Sequence, residues 1–235
     1  MALQDLKQAI PAGHRQMLVT EVTRMKKNNM VCVAGIDIHT GKMIRPLQPG
    51  GVNWPQAEWA DKDFMRVGNV LMLEPAAPSP SDKPHATEDF NVSMVTVVAK
   101  ASPAQVFAAC EETADAELSD IFGDHLVDDK YVEEYTDCRS LGCLVVDAAD
   151  VSVSSSFGKI TLVYDDDHHI RHYLKVTELT FAAQDQAAAD ALSARIADHD
   201  RIALRIGLPR AWDGPDKNWD PLRCYMQLNG VIVPA

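Results

Sequence analysis

All four tryptophans of this 235-residue sequence lie in two loops that also carry basic residues. Trp54 and Trp59 share the first loop, and Trp212 and Trp219 share the second. Bases of nucleic acids stack on aromatic rings for about 1–3 kcal/mol each, and a nearby Arg or Lys can hold a phosphate. A long loop also needs a large apolar anchor, which tryptophan supplies. The four tryptophans are therefore candidates for ligand contact, with anchoring as the alternative.

Basic residues concentrate near the N-terminus of a chain whose formal net charge is -12. Residues 14–46 contain six Lys and Arg against two acids, a net charge of +4. This predicts a basic face on which a phosphate backbone can bind, although lysines are also common on solvated strand edges. The basic candidates for nucleic-acid contact are Arg24, Lys26, Lys27, Lys42 and Arg45, with Arg210 and Lys217 in the second tryptophan loop.

Arg45 immediately precedes Pro46, which lacks a backbone N–H donor and so ends a predicted strand. The sequence therefore predicts Arg45 at the rim of a barrel. Its planar guanidinium suits a phosphate, a carboxylate or a backbone carbonyl. A ligand and an intramolecular partner, such as an acidic segment of the chain, are equally compatible with this position.

Acidic residues concentrate in one segment. Residues 111–137 carry eleven Asp and Glu against one Lys, a net charge of -10, so the rest of the chain carries about -2. We call residues 111–137 the acidic belt. It is a candidate contact for a protein partner.

One short cluster, residues 165–172 (DDDHHIRH), contains metal-ligating residue types. Strand alternation would separate its histidines onto two faces, so a solvated turn explains it better than a metal site does. Asp167 and His169 are the weak metal candidates, and no cofactor is expected. The sequence contains no nucleophile elbow, phosphate-binding loop or dinucleotide fingerprint. We therefore favour a binding module over an enzyme.

The five cysteines are scattered, odd in number and never spaced as Cys-x-x-Cys, which is typical of thiols in a reducing compartment. The first ten residues include charged and polar side chains where a secretory signal would be apolar. No stretch of about 18 apolar residues occurs either. We expect a cytoplasmic protein.

The periodicity of the chain predicts the elements that position these residues. A short N-terminal helix precedes about five strands, a helix follows over 102–122 with Ser102 as its cap, and about five strands recur after it. The expected fold is mainly β with a few helices, as two OB-like antiparallel barrels joined by a helix. The predicted domains are 1–101, an acidic helical connector 102–139, and 140–235. The proline-rich stretch Pro75 to Pro84 predicts an exposed, mobile loop that can be shortened at little cost.

Two stretches carry a family resemblance. CVAGIDIHTGKMIRPL, from Cys32 to Leu47, and LRIGLPRAWDGPDKNWDPLRCYMQLNGVI, from Leu204 to Ile232, resemble the two ends of the dual OB-fold domain family of prokaryotic proteins. The resemblance implies two OB-folds and suggests nucleic-acid or partner binding. It brings no catalytic residues with it.

The sequence therefore favours an accessory module of a larger assembly that binds single-stranded or structured nucleic acid and has no catalysis of its own. The alternative is a protein-interaction scaffold that uses the acidic belt and the tryptophan loops. A hydrolase is the third alternative.

Overall fold

The computed structural model describes residues 2–25, 29–61, 63, 65–79, 81–212, 214–215 and 217–235. The strands are β1 Arg15–Arg24, β2 Met30–Asp37, β3 Met43–Leu47, β4 Trp54–Pro55, β5 Asn69–Pro75, β6 Asp89–Lys100, β7 Tyr131–Glu133, β8 Leu141–Asp147, β9 Val151–Ser156, β10 Lys159–Asp165, β11 Arg171–Val176, β12 Arg201–Gly207, β13 Arg223–Tyr225 and β14 Gln227–Ile232. The α-helices are α1 Ala2–Asp5, α2 Gln56–Asp61, α3 Pro103–Glu112, α4 Leu118–Phe122 and α5 Gln186–Ala197. Among the described residues, no helix has both the length and the apolar character needed to cross a bilayer.

The first barrel is formed by β1, β2, β3, β6 and β5. They hydrogen-bond in the order β1-β5-β6-β3-β2, and β1 also pairs with β2, which closes the circuit. Only the pairing of β3 with β6 is parallel. The long strand β1 bends at a bulge between Val19 and Glu21, and this bend lets it reach both neighbours.

The second barrel repeats this circuit. Its strands follow the order β8-β12-β14-β11-β10-β9, and β11 pairs with β14 in parallel. A single turn of 3-10 helix, Ala148–Asp150, separates β8 from β9, so the two act as one bent strand. Helix α5 lies between β11 and β12 in the chain and packs on β9. The predicted fold class, mainly β with two OB-like barrels joined by a helix, is confirmed.

The connector begins as the sequence predicts but its first helix is shorter. The Ser102 hydroxyl accepts a hydrogen bond from the Gln105 N–H, and the Gln105 side chain accepts one from the Ser102 N–H. This capping box starts α3, which ends at Glu112. The Asp115 N–H then donates to the Cys143 carbonyl at 2.8 Å, so the chain leaves the helix to pair with β8. The predicted domain boundaries at 101/102 and 139/140 stay predictions.

The two barrels share a hydrophobic cluster. It joins side chains of the first barrel and of α3 to side chains of the second barrel; its buried members include Leu18, Ile36, Val70, Val106, Phe107, Cys110, Cys143, Ala203 and Ile232. Polar groups also cross the junction, because Arg205 of β12 pairs with Glu21 of β1 at 3.0 Å. Contacts of both kinds therefore hold the barrels together.

The proline-rich loop is not the loosely held segment that its composition predicts. Asn91, which is 7% exposed, donates to the Ala77 carbonyl at 3.1 Å and to the Ser79 hydroxyl at 2.6 Å. The Ser81 hydroxyl donates to Asp89, and Pro84 is buried. These hydrogen bonds to β6 count against a mobile loop, and the expectation that the loop can be shortened at little cost stays a prediction.

We expect Asn91→Ala to lower the free energy of unfolding by about 1–3 kcal/mol, because the Ala77 carbonyl and the Ser79 hydroxyl lose the donor that this buried side chain supplies. The matched control is Ser93→Ala on the same strand, where an exposed hydroxyl makes contacts of 3.4 and 3.5 Å and the expected change is within about 0.5 kcal/mol. Chemical denaturation measures both. Equal costs for the two variants would contradict this view of the loop.

Candidate nucleic-acid interface

Arg45 does not present its guanidinium to solvent. It is 4% exposed, its Nη1 lies 2.7 Å from Asp89 Oδ1, and its Nη2 donates to the Ser140 hydroxyl at 3.0 Å. Although burial opposes the shift, Arg45 and Arg210 hold the pKa of Asp89 below its usual value. The expectation of Arg45 as a nucleic-acid contact is therefore corrected. Its partner is Asp89 of β6, outside the acidic belt, and the contact with Ser140 places the pair where the first barrel meets the start of the 140–235 segment.

Trp54 is an anchor. It is 8% exposed, and its indole N–H donates to the Pro46 carbonyl at 2.8 Å. Its ring lies in the hydrophobic cluster of the first barrel, so it is not available as the stacking surface that the sequence suggested.

The remaining first-barrel candidates do not form a described basic face. Arg24 is partly buried and donates to the Val176 carbonyl of the second barrel at 3.4 Å, and burial lowers its pKa. Lys42 is exposed. Lys26, Lys27 and the side chain of Trp59 lie outside the described residues. Of the bases in residues 15–24 and 30–47, Lys42 and Arg15 are exposed, and Arg15 lies over the Phe90 ring and 3.8 Å from Asp37, so these residues form no continuous basic surface.

The second tryptophan loop assembles an aromatic cluster. Trp212 and Trp219 lie 5.2 Å apart, edge to face, and Tyr225 lies within 6.3 Å of both ring centroids. The Arg223 guanidinium lies 4.0 Å from the Trp219 centroid, and it also covers the ring of Tyr131. Trp212 is 47% exposed. We call these five residues the tryptophan cluster.

Backbone pairing positions the tryptophan cluster. Strand β13 pairs with β7, which sets Tyr225 opposite Tyr131, and Trp212 forms an isolated bridge with Arg223. Gly214 has a positive φ of 86°, and a Cβ there would lie 2.6 Å from the Trp219 ring. Only glycine therefore allows the loop to fold over that ring. The sequence located both tryptophans but missed the two tyrosines, which are remote in the chain.

The surroundings of the tryptophan cluster are acidic. The segments 128–134 and 217–223, which lead into β7 and β13, contain five carboxylates against three cations: Asp128, Asp129, Glu133, Glu134 and Asp220 against Lys130, Lys217 and Arg223. Arg210 is exposed, but it is held 2.8 Å from the buried Asp89. A polyanion would meet net repulsion here. The structure brings two of the four candidates in this loop, Trp212 and Trp219, together. Arg210 instead pairs with Asp89, which also pairs with Arg45, and Lys217 is exposed.

A second surface, which the sequence reasoning missed, lies on the outer face of β9, β10 and β11. Exposure alternates along β11, so Arg171, Tyr173 and Lys175 face outward. The strand register sets Lys175 opposite Thr161, Tyr173 opposite Val163, and Arg171 opposite Asp165. On β9, Ser152, Ser154 and Ser156 continue the same rows. We call these residues, with Lys159, the outer face.

The outer face is nearly free of acid in a chain with 34 Asp and Glu. Its one carboxylate, Asp165, is paired with Arg171 at 2.7 Å. Tyr173 is 66% exposed. At the tip of the hairpin between β9 and β10, the Phe157 side chain is fully exposed. The alternation in RHYLKV and the short tip SSSFGK were the signals in the sequence.

The cluster at residues 165–172 forms a turn. Asp166 accepts hydrogen bonds from the backbone N–H groups of His168 and Ile170, and it lies 3.0 Å from the buried His172. Asp167 and His169 are exposed on this turn. No group of three metal-ligating side chains occurs in the described part of the chain.

Comparisons with solved structures find distant likenesses. A murine DNA-binding protein bound to double-stranded DNA is 9% identical and has a TM-score of 0.37, over 94% of this chain and 96% of that chain. The tetrameric p202 HIN2 is 12% identical with a TM-score of 0.32, over 93% and 95% of the two chains. The p204 HINb domain is 12% identical with a TM-score of 0.35, over 93% and 100%. At these values the likenesses add nothing to the assignment.

No curated protein matches the chain. The model of the dual OB-containing domain matches residues 17–231, which span both barrels and the connector. The match agrees with the two strand circuits and with the parallel closing pairs described above. The chain therefore belongs to the dual OB-containing domain family.

Proposed function

We propose that the chain binds single-stranded nucleic acid through the outer face and Phe157, as an accessory module without catalysis of its own. The observation that carries the proposal is the outer face itself, on which an exposed tyrosine and two lysines lie beside strand positions whose one carboxylate, Asp165, is paired with Arg171. OB-folds bind oligonucleotides along their second and third strands and the loops beside them. In the second barrel these strands are β10 and β11, and Phe157 tops the loop that precedes β10.

The chemistry of the outer face suits a single strand. Lys159 and Lys175 supply point charges for phosphates, and the ring of Tyr173 supplies a face for a base. Residues that share a face of one strand recur every two residues, and directly opposed side chains on neighbouring strands lie about 4.5–5.5 Å apart. The lysines and the tyrosine are therefore close enough for neighbouring nucleotides of one strand to contact all three.

The double variant Lys159→Glu/Lys175→Glu is expected to weaken binding of a ten-nucleotide strand at least tenfold at low salt. Each phosphate contact to a single strand contributes about 0.7 to the slope of log affinity against log salt, so losing two lowers the slope by about 1.4. Fluorescence anisotropy at several salt concentrations measures both quantities. Lys42→Glu/Lys217→Glu, at exposed lysines outside the outer face, is the charge-matched control. Equal losses in the two double variants would contradict the assignment.

Tyr173→Ala and Phe157→Ala are each expected to weaken single-strand binding about 5- to 150-fold, the equivalent of about 1–3 kcal/mol for a lost stacking contact. Duplex binding changes less, because paired bases are not free to stack on a side chain. Tyr135→Ala is the matched control, since Tyr135 is 68% exposed but lies in the connector. A loss for Tyr135→Ala as large as that for Tyr173→Ala would remove the support for this surface.

A protein-interaction scaffold is the second candidate function, and the surroundings of the tryptophan cluster favour it. An exposed indole beside a net excess of carboxylates suits an Arg- or Lys-rich segment, because a guanidinium can stack on the ring and pair with the acids. Arg223 already makes such a stack within the chain. A labelled arginine-rich decapeptide tests this candidate: binding that is lost in Trp212→Ala and retained in Tyr173→Ala supports it.

A further inference from the structure

Arg24 lacks a counter-ion in the part of the chain that the structure describes. Nine of the eleven arginines pair with an Asp or Glu side chain, and Arg223 lies over two aromatic rings. The Arg24 side chain makes one hydrogen bond, from Nη2 to the Val176 carbonyl at 3.4 Å. Burial lowers its pKa, and no described carboxylate acts to raise it. The fold therefore leaves the charge of Arg24 uncompensated among the described residues.

The Arg24 guanidinium has unused donors. An arginine side chain stays charged in proteins and carries five N–H donors. Neither Nε nor Nη1 of Arg24 has a partner among the described residues; Nε is buried, whereas Nη1 is not. The Nη1 group is therefore open to an anion, and a bound anion offsets the cost of partly burying the charge.

Backbone pairing sets Arg24 at the edge of the outer face. The Arg24 N–H donates to the Thr177 carbonyl at 3.0 Å, and the side chain contacts the carbonyl of Val176, the residue that follows Lys175. Lys175 points outward on β11. Arg24 is the last residue of β1, so the first barrel meets the outer face at this point.

Lys159 lies at the same end of the outer face. The register of β10 with β11 sets Thr161 opposite Lys175. Lys159, two residues before Thr161, is therefore level with Thr177, to which the backbone of Arg24 is bonded. Three cations from three strands thus gather where β11 ends, two from the second barrel and one from the first.

The carboxylates around this end are occupied by other cations. Glu178, which follows the segment that Arg24 contacts, pairs with Arg195 at 2.9 Å. Asp165, the one carboxylate of the outer face, lies at the opposite end of β10 and pairs with Arg171 at 2.7 Å. A phosphate that approaches the end of β11 therefore meets cations beside carboxylates that are already neutralised.

We propose that a single strand bound to the outer face continues onto the first barrel, where Arg24 holds a phosphate beside the one held by Lys175. This inference rests on the proposed function and extends its site from one barrel to both. A guanidinium suits a phosphate, because its planar fork can donate two parallel hydrogen bonds. Because Arg24 and Lys175 belong to different barrels, the site is complete only when the two barrels are packed together.

Fluorescence anisotropy with a labelled ten-nucleotide strand, at several salt concentrations, tests the proposal on the full chain. We expect Arg24→Gln to weaken binding by about fivefold or more at low salt and to lower the slope of log affinity against log salt by about 0.7, the loss of one phosphate contact. Arg24→Lys keeps the charge and removes the fork. It is expected to retain the wild-type salt slope and to recover part of the affinity.

Arg15→Gln is the matched control, because Arg15 lies at the other end of β1, its side chain is 46% exposed, and it already faces Asp37 at 3.8 Å. It is expected to change neither the affinity nor the salt slope. Arg24→Gln and Arg24→Lys are expected to melt with the wild type in circular dichroism, since Arg24 forms no ion pair in the described part of the chain. A loss of binding in these variants then reports on the ligand and not on the fold.

The possible failures are distinguishable. Wild-type affinity and salt slope in Arg24→Gln, with binding lost in Lys159→Glu/Lys175→Glu, would overturn the path onto the first barrel and leave the outer face standing. Binding lost in Arg24→Gln but kept in Lys159→Glu/Lys175→Glu would overturn both, as would the absence of binding by the wild type. An equal loss in Arg15→Gln would show that any arginine of β1 has the same effect, which also overturns the assignment of Arg24.

Discussion

Replacement of Arg205 by methionine is expected to lower the free energy of unfolding by about 3–5 kcal/mol, because the change leaves the carboxylate of Glu21 buried without its counter-ion. Arg205 is fully buried and Glu21 is 2% exposed. Despite the opposing effect of burial, the neighbouring acidic groups raise the pKa of Arg205, so it remains charged in the fold. The pair also connects the barrels, and its loss affects the whole chain.

Arg201→Met is the control for this prediction, because Arg201 lies on the same strand and pairs with Glu111 at the same kind of distance, 2.9 Å, in an exposed position. An exposed pair contributes about 0–1 kcal/mol, so the two variants differ by several-fold in cost. The double variant Glu21→Gln/Arg205→Met should cost less than the sum of the single changes, since no charge is then left alone. Urea unfolding measures the costs of Arg205→Met, Arg201→Met, Glu21→Gln and the double variant. An Arg205→Met cost no larger than that of Arg201→Met would contradict a structural role for the pair.

Much of the fold could be predicted from local sequence, since each of its signals lies within a few residues. The capping box at Ser102 and Gln105 starts α3 where predicted, and alternating apolar residues mark the strands of both barrels. The end of α3 was not predictable in this way, because Asp115 leaves the helix to pair with Cys143, which is 28 residues away in the chain.

The roles of the arginines could not be predicted, because their partners are remote. Arg45 meets Asp89 and Ser140, which follow it by 44 and 95 residues, and Arg205 meets Glu21 across 184 residues. The sequence shows only that an arginine stands at a given position, and its guanidinium can pair equally well with a ligand or with a buried carboxylate. A net charge summed over a segment likewise does not show that one of its arginines is buried.

The outer face could have been found from the sequence. The stretch from Val151 to Val163 contains no acid, and RHYLKV alternates in the pattern of a half-exposed strand. The sequence could not predict which residues of β9, β10 and β11 lie opposite one another, because the register is set by strand pairing in the fold.

As the pH is lowered below 6.5, the free energy of unfolding is expected to decline, and His85 is expected to cause much of that decline. His85 is 3% exposed and contacts the Leu208 carbonyl through Nε2 at 3.1 Å. Burial, followed by the charges of Arg45 and Arg210, lowers its pKa from 6.5 to about 3, although Leu208 and Asp89 act in the opposite direction. The imidazole is therefore neutral in the fold and donates from Nε2.

The sign follows from the two states of His85. Above pH 6.5 it is neutral both folded and unfolded, so its full contribution to stability is present. Between pH 6.5 and about 3 the unfolded chain takes up a proton that the folded chain refuses, so stability declines by about 1.4 kcal/mol per pH unit. Glu88 opposes this trend, because burial raises its pKa and the folded chain then gains from protonating it. The decline must therefore be measured as a difference between variants.

His85→Gln removes the titrating group and retains an N–H donor for the Leu208 carbonyl. Between pH 6.5 and pH 4.5 the wild type is expected to lose about 2 kcal/mol more than this variant in urea unfolding. At pH 7.5 and above, the difference in stability between the two proteins should stay constant, because His85 is then neutral in both states. Parallel stability profiles from pH 7.5 to 4.5 would mean that His85 is protonated in the fold as readily as in the unfolded chain, a result incompatible with a buried imidazole whose pKa the charges of Arg45 and Arg210 also lower.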